Sequence, residues 1–94
     1  AGAGKTPAAF KLYQNFPNPF NAVTTIKFAL PEAGHAKILI YNIIGEKVGE
    51  IHRKNYQPGL HSVIFNAKDL SSGIYFYKLE SKKYTDVRKF LFIK

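Results

Sequence analysis

Three histidines, His35, His52 and His61, are the side chains best suited to hold a metal ion. Zinc needs imidazole nitrogens converging on one point, which in sequence favours short spacings such as His-x-His or His-x-x-x-His. None of the three is spaced in that way, and each falls on a different predicted strand, so they read as surface or edge histidines. The six carboxylates, Glu32, Glu46, Glu50, Asp69, Glu80 and Asp86, form no close pair. Neither the two facing carboxyls of a glycoside hydrolase nor the ligand-rich loop of a calcium site is signalled. Ser71-Ser72-Gly73 lacks the Gly-x-Ser-x-Gly setting of a nucleophile elbow and reads as a turn. Gly34, Gly45, Gly59 and Gly73 stand singly at strand junctions and form no phosphate-cradling set. With no cysteine there is no disulfide, no metal thiolate and no thiol nucleophile. The residues predict a non-catalytic chain without metal or cofactor.

The elements that position any functional surface are strands. Tyr, Phe, Val and Ile dominate the apolar residues and Trp and Met are absent, a composition that favours strand over helix. Phe10–Gln14 reads as a short edge strand. In the second strand Ile26, Phe28 and Leu30 alternate with Thr25, Lys27 and Ala29 up to Pro31. His35–Ile43 alternates Ala36, Ile38 and Ile40 against Lys37, Leu39 and Tyr41. Glu46–Arg53 is more polar, is weakened at Gly49 and reads as another edge. Leu60–Asn66 places Val63 and Phe65 on one side, and Ile74–Leu79 offers Tyr75, Tyr77 and Leu79 to a core. The last strand is predicted over Tyr84–Ile93. Turn signals at Pro31–Gly34, Gly45, Pro58-Gly59, Asp69–Gly73 and Ser81–Lys83 separate these runs at about 8–12-residue spacing. The pattern predicts an all-β fold, an immunoglobulin-like antiparallel β-sandwich of about seven strands. Leu70-x-x-Gly73-x-Tyr75 predicts a tyrosine corner, the hydroxyl bonding back to upstream backbone.

Ninety-four residues allow one domain with one thin core and little room for a deep cleft. Residues 1–11 read as a linker or remnant belonging to a longer protein, and 12–94 as the domain. Fourteen basic and six acidic residues give a net charge of +8. A nucleic-acid binder gathers such charge into a stripe. Here the densest runs, Arg53-Lys54, Lys82-Lys83 and Arg88-Lys89, are only pairs, which argues against nucleic acid and leaves steering toward anionic surfaces. No stretch approaches the about 20 apolar residues of a transmembrane helix.

The segment Asn15-Phe16-Pro17-Asn18-Pro19-Phe20-Asn21 excludes helix, because two prolines remove donors and push Phe16 and Asn18 toward extended backbone. It is expected to be a stiff hinge with Pro17 and Pro19 trans and Phe16 or Phe20 anchored on the sandwich. At the other end Phe90, Leu91, Phe92 and Ile93 are apolar in both phases of a strand. That implies either a central strand covered on two sides or an exposed apolar strip awaiting a partner.

Taken in order, the hinge, Thr25-x-Ile-x-Phe-x-Leu-Pro31, Ile40-Tyr-Asn-x-x-Gly-Glu-Lys-Val48, Pro58-Gly59, Leu70-x-Ser-Gly-x-Tyr-x-Tyr-x-Leu79 and Lys89-x-x-x-x-Lys94 resemble a known family. It is the type A C-terminal sorting domain of the type IX (Por) secretion system, and the resemblance covers roughly residues 12–94. The pattern is also similar to the immunoglobulin-like domain of the flagellar hook-capping protein. The resemblance implies a domain that follows a secreted catalytic or adhesive domain in one chain. It further implies recognition by the outer-membrane translocon and a sortase-like peptidase, and a location that is secreted or at the cell surface, reached through the periplasm. Asn15, Pro17, Asn18, Pro19, Phe20, Asn21, Gly45, Gly73 and Tyr75 then carry the structural motif. Arg88, Lys89, Phe90, Phe92 and Lys94 become the candidates for recognition. Ala22-Val23 and Asn42 depart from the commoner family pattern without altering the expected fold. The alternative reading is an accessory sandwich of a secreted hydrolase, a spacer or glycan-binding module with Tyr13, Tyr41, Tyr56 and Tyr84 as its platform.

Overall fold

Alternation of apolar and polar residues becomes alternation of buried and exposed side chains along seven strands. The computed structural model describes residues 8–94, and of His52 and Arg53 the backbone alone. Most of the linker assigned to residues 1–11 therefore lies outside the described residues, as does the side chain of His52. The strands are β1 (Lys11–Leu12), β2 (Val23–Leu30), β3 (Gly34–Tyr41), β4 (Lys47–Tyr56), β5 (Gly59–Asn66), β6 (Gly73–Ser81) and β7 (Thr85–Phe92). They form two antiparallel sheets, ordered β1-β2-β5 and β4-β3-β6-β7. The chain changes sheet between β2 and β3, between β4 and β5, and between β5 and β6, the Greek-key habit of an immunoglobulin-like sandwich.

The core fills the space between the sheets. Leu12, Ile26, Phe28, Leu30 and Val63 face it from the smaller sheet. Ala36, Ile38, Ile40, Tyr75, Tyr77, Leu79, Phe90 and Phe92 face it from the larger one. Burying each large apolar side chain contributes about 1.5–3 kcal/mol, the dominant favourable term for a domain this thin. β1 and β4 are edges, as their length and polarity predict.

β3 stops at Tyr41, two residues before its predicted end. The side chain of Asn42 captures the turn: its Oδ1 accepts from the backbone N–H of Ile44 (3.1 Å) and of Glu46 (2.9 Å). Gly45 completes the reversal at φ +87°, a left-handed conformation that side chains disfavour, and donates its N–H to Asn42 O at 3.0 Å. Ile43 and Ile44 are left exposed. Tyr75 Oη donates to Ser71 O at 2.7 Å, closing the β5–β6 crossover as a tyrosine corner, and Gly73 opens β6 immediately before it.

Candidate functional site: the hinge against the last strand

Asn15 and Thr24 are the buried polar residues among those described, and they organise the hinge. Asn15 Nδ2 donates to Thr24 Oγ1 (3.0 Å) and to Pro17 O (3.1 Å), while Thr24 Oγ1 donates to Pro17 O at 2.8 Å. Gln14 Nε2 donates to Asn15 Oδ1 at 2.6 Å, so both ends of the buried amide are satisfied. A fully bonded polar cluster of this kind fixes one backbone path where a partly bonded one would be costly. The Phe16–Pro17 and Asn18–Pro19 peptide bonds are both cis, not trans as the sequence suggests. An X–Pro bond prefers trans by only about 0.5–1 kcal/mol, so the surroundings decide the isomer and the local sequence does not reveal it.

Phe20, not Phe16, is the anchor. Its ring is buried with centroids 5.1 Å from Phe90 and 5.2 Å from Phe92, whereas Phe16 is 78% exposed. Phe16 is nonetheless held through its backbone, exchanging hydrogen bonds of 3.0 and 2.9 Å with Thr25.

The hinge lies along the outer edge of β7. Gln14 Nε2 donates to Lys89 O at 2.6 Å, and Leu91 N–H donates to Asn18 Oδ1 at 2.9 Å. Phe20 N–H donates to Leu91 O (3.1 Å), and Ile93 N–H to Phe20 O (2.9 Å), a short parallel bridge. Lys94 N–H donates to Ser72 Oγ at 2.8 Å. The doubly apolar run is thus not a central strand: its inner phase, Phe90 and Phe92, is buried, while Leu91 and Ile93 stay exposed on the outer face. β7 is the outermost strand of its sheet, and the hinge occupies its edge over residues 89–93.

The recognition candidates divide between the two faces of β7. Phe90 and Phe92 point inward and are fully buried, paired across β6 with Tyr75 and Gly73. Arg88 also turns inward, its Nε donating to Leu12 O at 3.1 Å, and so ties β7 to β1 across the seam between sheets. Lys89 and Lys94 are exposed. Lys89, Leu91 and Ile74 line a shallow depression with Asn18 beside the hinge. Asn21 follows Phe20 and its carbonyl accepts from Val23 N–H at 3.0 Å.

Alternation does not reveal the long-range partners of Leu12, Tyr13, Gln14 and Tyr77. Gln14 and Leu12 meet partners 75 and 76 residues away, which no local pattern encodes. Tyr77 Oη donates to Tyr13 O at 2.6 Å, 64 residues apart, and burial pushes the Tyr77 phenol up to about 12. Thr24 did leave a signal, standing in phase with Ile26 and Phe28 on the core side of β2.

His35 is exposed, and His61 sits half-buried against Tyr56 with its Nε2 2.6 Å from Gln57 O. Among the described residues no three His, Asp or Glu side chains converge on one point. Tyr13, Tyr41, Tyr56 and Tyr84 do not share a face. Tyr56 is buried, Tyr84 stacks on Phe10 at 5.0 Å, and Tyr13 and Tyr41 belong to different sheets.

Fold and seam together define a small antiparallel β-sandwich module whose proline-rich leading segment is clamped to its last strand. The family model described as the secretion system C-terminal sorting domain matches residues 14–94, and the chain belongs to that family, the sorting signals of type IX secretion. Among curated proteins no sequence matches it significantly.

Proposed function

We propose that residues 12–94 act as a non-catalytic sorting domain for a protein preceding them in the same chain. The domain directs that cargo from the periplasm through the type IX outer-membrane translocon to the cell surface or medium. Its partners are the translocon and a sortase-like peptidase. The observation that carries this reading is the unity of hinge and last strand. The family match begins at Gln14, and the Gln14 side chain is bonded to the Lys89 carbonyl, so the two ends of the matched region meet at one place. Lys89 and Lys94 present the cationic contacts, while Arg88, Phe90 and Phe92 hold the strand that carries them.

The double variant Lys89→Ala, Lys94→Ala tests the assignment, because exposed lysine changes usually alter stability by less than about 0.5 kcal/mol. Fused to a periplasmic reporter in a host with the type IX system, it should remain folded yet deliver less reporter to the surface than the unaltered domain. Equal delivery by a folded variant would remove both lysines from recognition.

A further inference from the structure

Three of the four sheet edges are guarded, and one is not. β1 is two residues long and accepts Arg88 Nε at Leu12 O. β4 carries Lys47, Glu50, Arg53 and Lys54 and has register shifts opposite Ala36–Ile38 and Ile40–Tyr41. β7 is occupied by the hinge. Charges, bulges, brevity and cover are the devices that stop a strand edge from pairing with another chain. β5 has none of them. It runs eight residues, Gly-Leu-His-Ser-Val-Ile-Phe-Asn, without Lys, Arg, Asp, Glu or Pro, and keeps unbroken register with β2 over all eight. The Ala67 N–H bond to Ala22 O sets the phase of that ladder. Odd-numbered residues of β5 bond β2, so the N–H and C=O groups of Leu60, Ser62, Ile64 and Asn66 point away from the sheet. Among the described residues no partner for those outward groups is present. The neighbouring surface is apolar as well, with Leu60 61% and Ile64 66% exposed.

We infer that β5 is a strand-addition site, which accepts an extended segment of another protein as a fourth strand of the smaller sheet. Main-chain bonds to Leu60, Ser62 and Ile64 would supply affinity, and alternate apolar side chains over Leu60 and Ile64 would supply specificity. Charge identifies the partner. The chain is +8, Lys27 stands opposite Ser62 on β2, and Lys68 follows the strand, so the segment carries net negative charge. A second copy of the chain is disfavoured by the same +8. One strand-to-strand seam also falls short of the about 1,200–2,000 Å² that stable protein pairs bury.

The test uses the whole chain and a fluorescent peptide, Glu-Glu-Thr-Val-Thr-Ile-Thr-Val-Glu-Glu, with a lysine-flanked twin as control. Anisotropy should report saturable binding of the acidic peptide, with the twin at least about tenfold weaker at low salt. Amide exchange should slow at Leu60, Ser62, Ile64 and Asn66. Ser62→Pro removes an outward N–H without touching the β2 ladder and should abolish binding, as should Ile64→Glu, which leaves the backbone intact. No binding, protection confined to other strands, or full binding by both folded variants would overturn the inference. So would sedimentation showing a β5-dependent dimer that excludes the peptide, since the occupant would then be a second copy.

Discussion

Tyr75, Tyr77 and Tyr56 bury three phenol rings in one core, and their hydroxyls meet three different fates. Tyr75 Oη has Ser71 O at 2.7 Å, so Tyr75→Phe should lower the free energy of unfolding by about 0.5–1.5 kcal/mol in urea titrations. Tyr56 Oη is buried without a hydrogen-bond partner among the described residues. Tyr56→Phe is therefore expected to leave stability unchanged or raise it by up to about 1 kcal/mol, and a clear loss would reveal a partner for the hydroxyl. Tyr77 is the pH-sensitive one. Its folded value is raised by burial to about 12 from an ordinary 10, so the unfolded chain releases this proton first. Its contribution is fully present below pH about 10 and is lost as pH rises toward about 12. Alkaline titration of wild type against Tyr77→Phe should show the variant less stable at neutral pH, the gap closing above pH 10. A constant gap would contradict the assignment.

At the scale of elements, the alternating strands were legible because a period of two with one covered face leaves a plain trace: Ile26, Phe28 and Leu30, or Tyr75, Tyr77 and Leu79, are buried in that order. The tyrosine corner was legible for the same reason, its residues being four apart. What stayed hidden is contact at long range. Nothing near Gln14 or Asn18 announces β7, and the apolar run Phe90–Ile93 has the same pattern whether or not a proline-rich segment bonds its edge. The hinge isomers were hidden too, since an X–Pro bond prefers trans by only about 0.5–1 kcal/mol. The clamp itself can be weighed. Asn18→Ala removes the acceptor for Leu91 N–H and should cost about 1 kcal/mol. Amide exchange should quicken at Leu91 and Ile93, with Val63 unchanged. Uniform quickening across the domain would mean that hinge and β7 do not open as a local unit.

At the scale of the whole molecule, hinge and last strand bring the two ends of the matched region, residues 14–94, into one seam. Positive charge is dispersed around the sandwich rather than gathered into a stripe, in keeping with solvated sheet faces on which Glu32, Glu50 and Glu80 are paired with lysines. Lys78 and Lys37 flank Glu80 at 2.8 and 3.7 Å, and Lys83 meets Glu32 at 3.2 Å. The hydrogen bond from Lys78 holds the Glu80 carboxyl below its usual range. The most direct measurement is surface delivery of a periplasmic reporter fused ahead of this domain in a host with the type IX system, beside the same reporter carrying an established sorting domain. Sorting predicts that both fusions reach the surface. A fusion to this domain that folds but stays in the periplasm, while the established one is delivered, would contradict it.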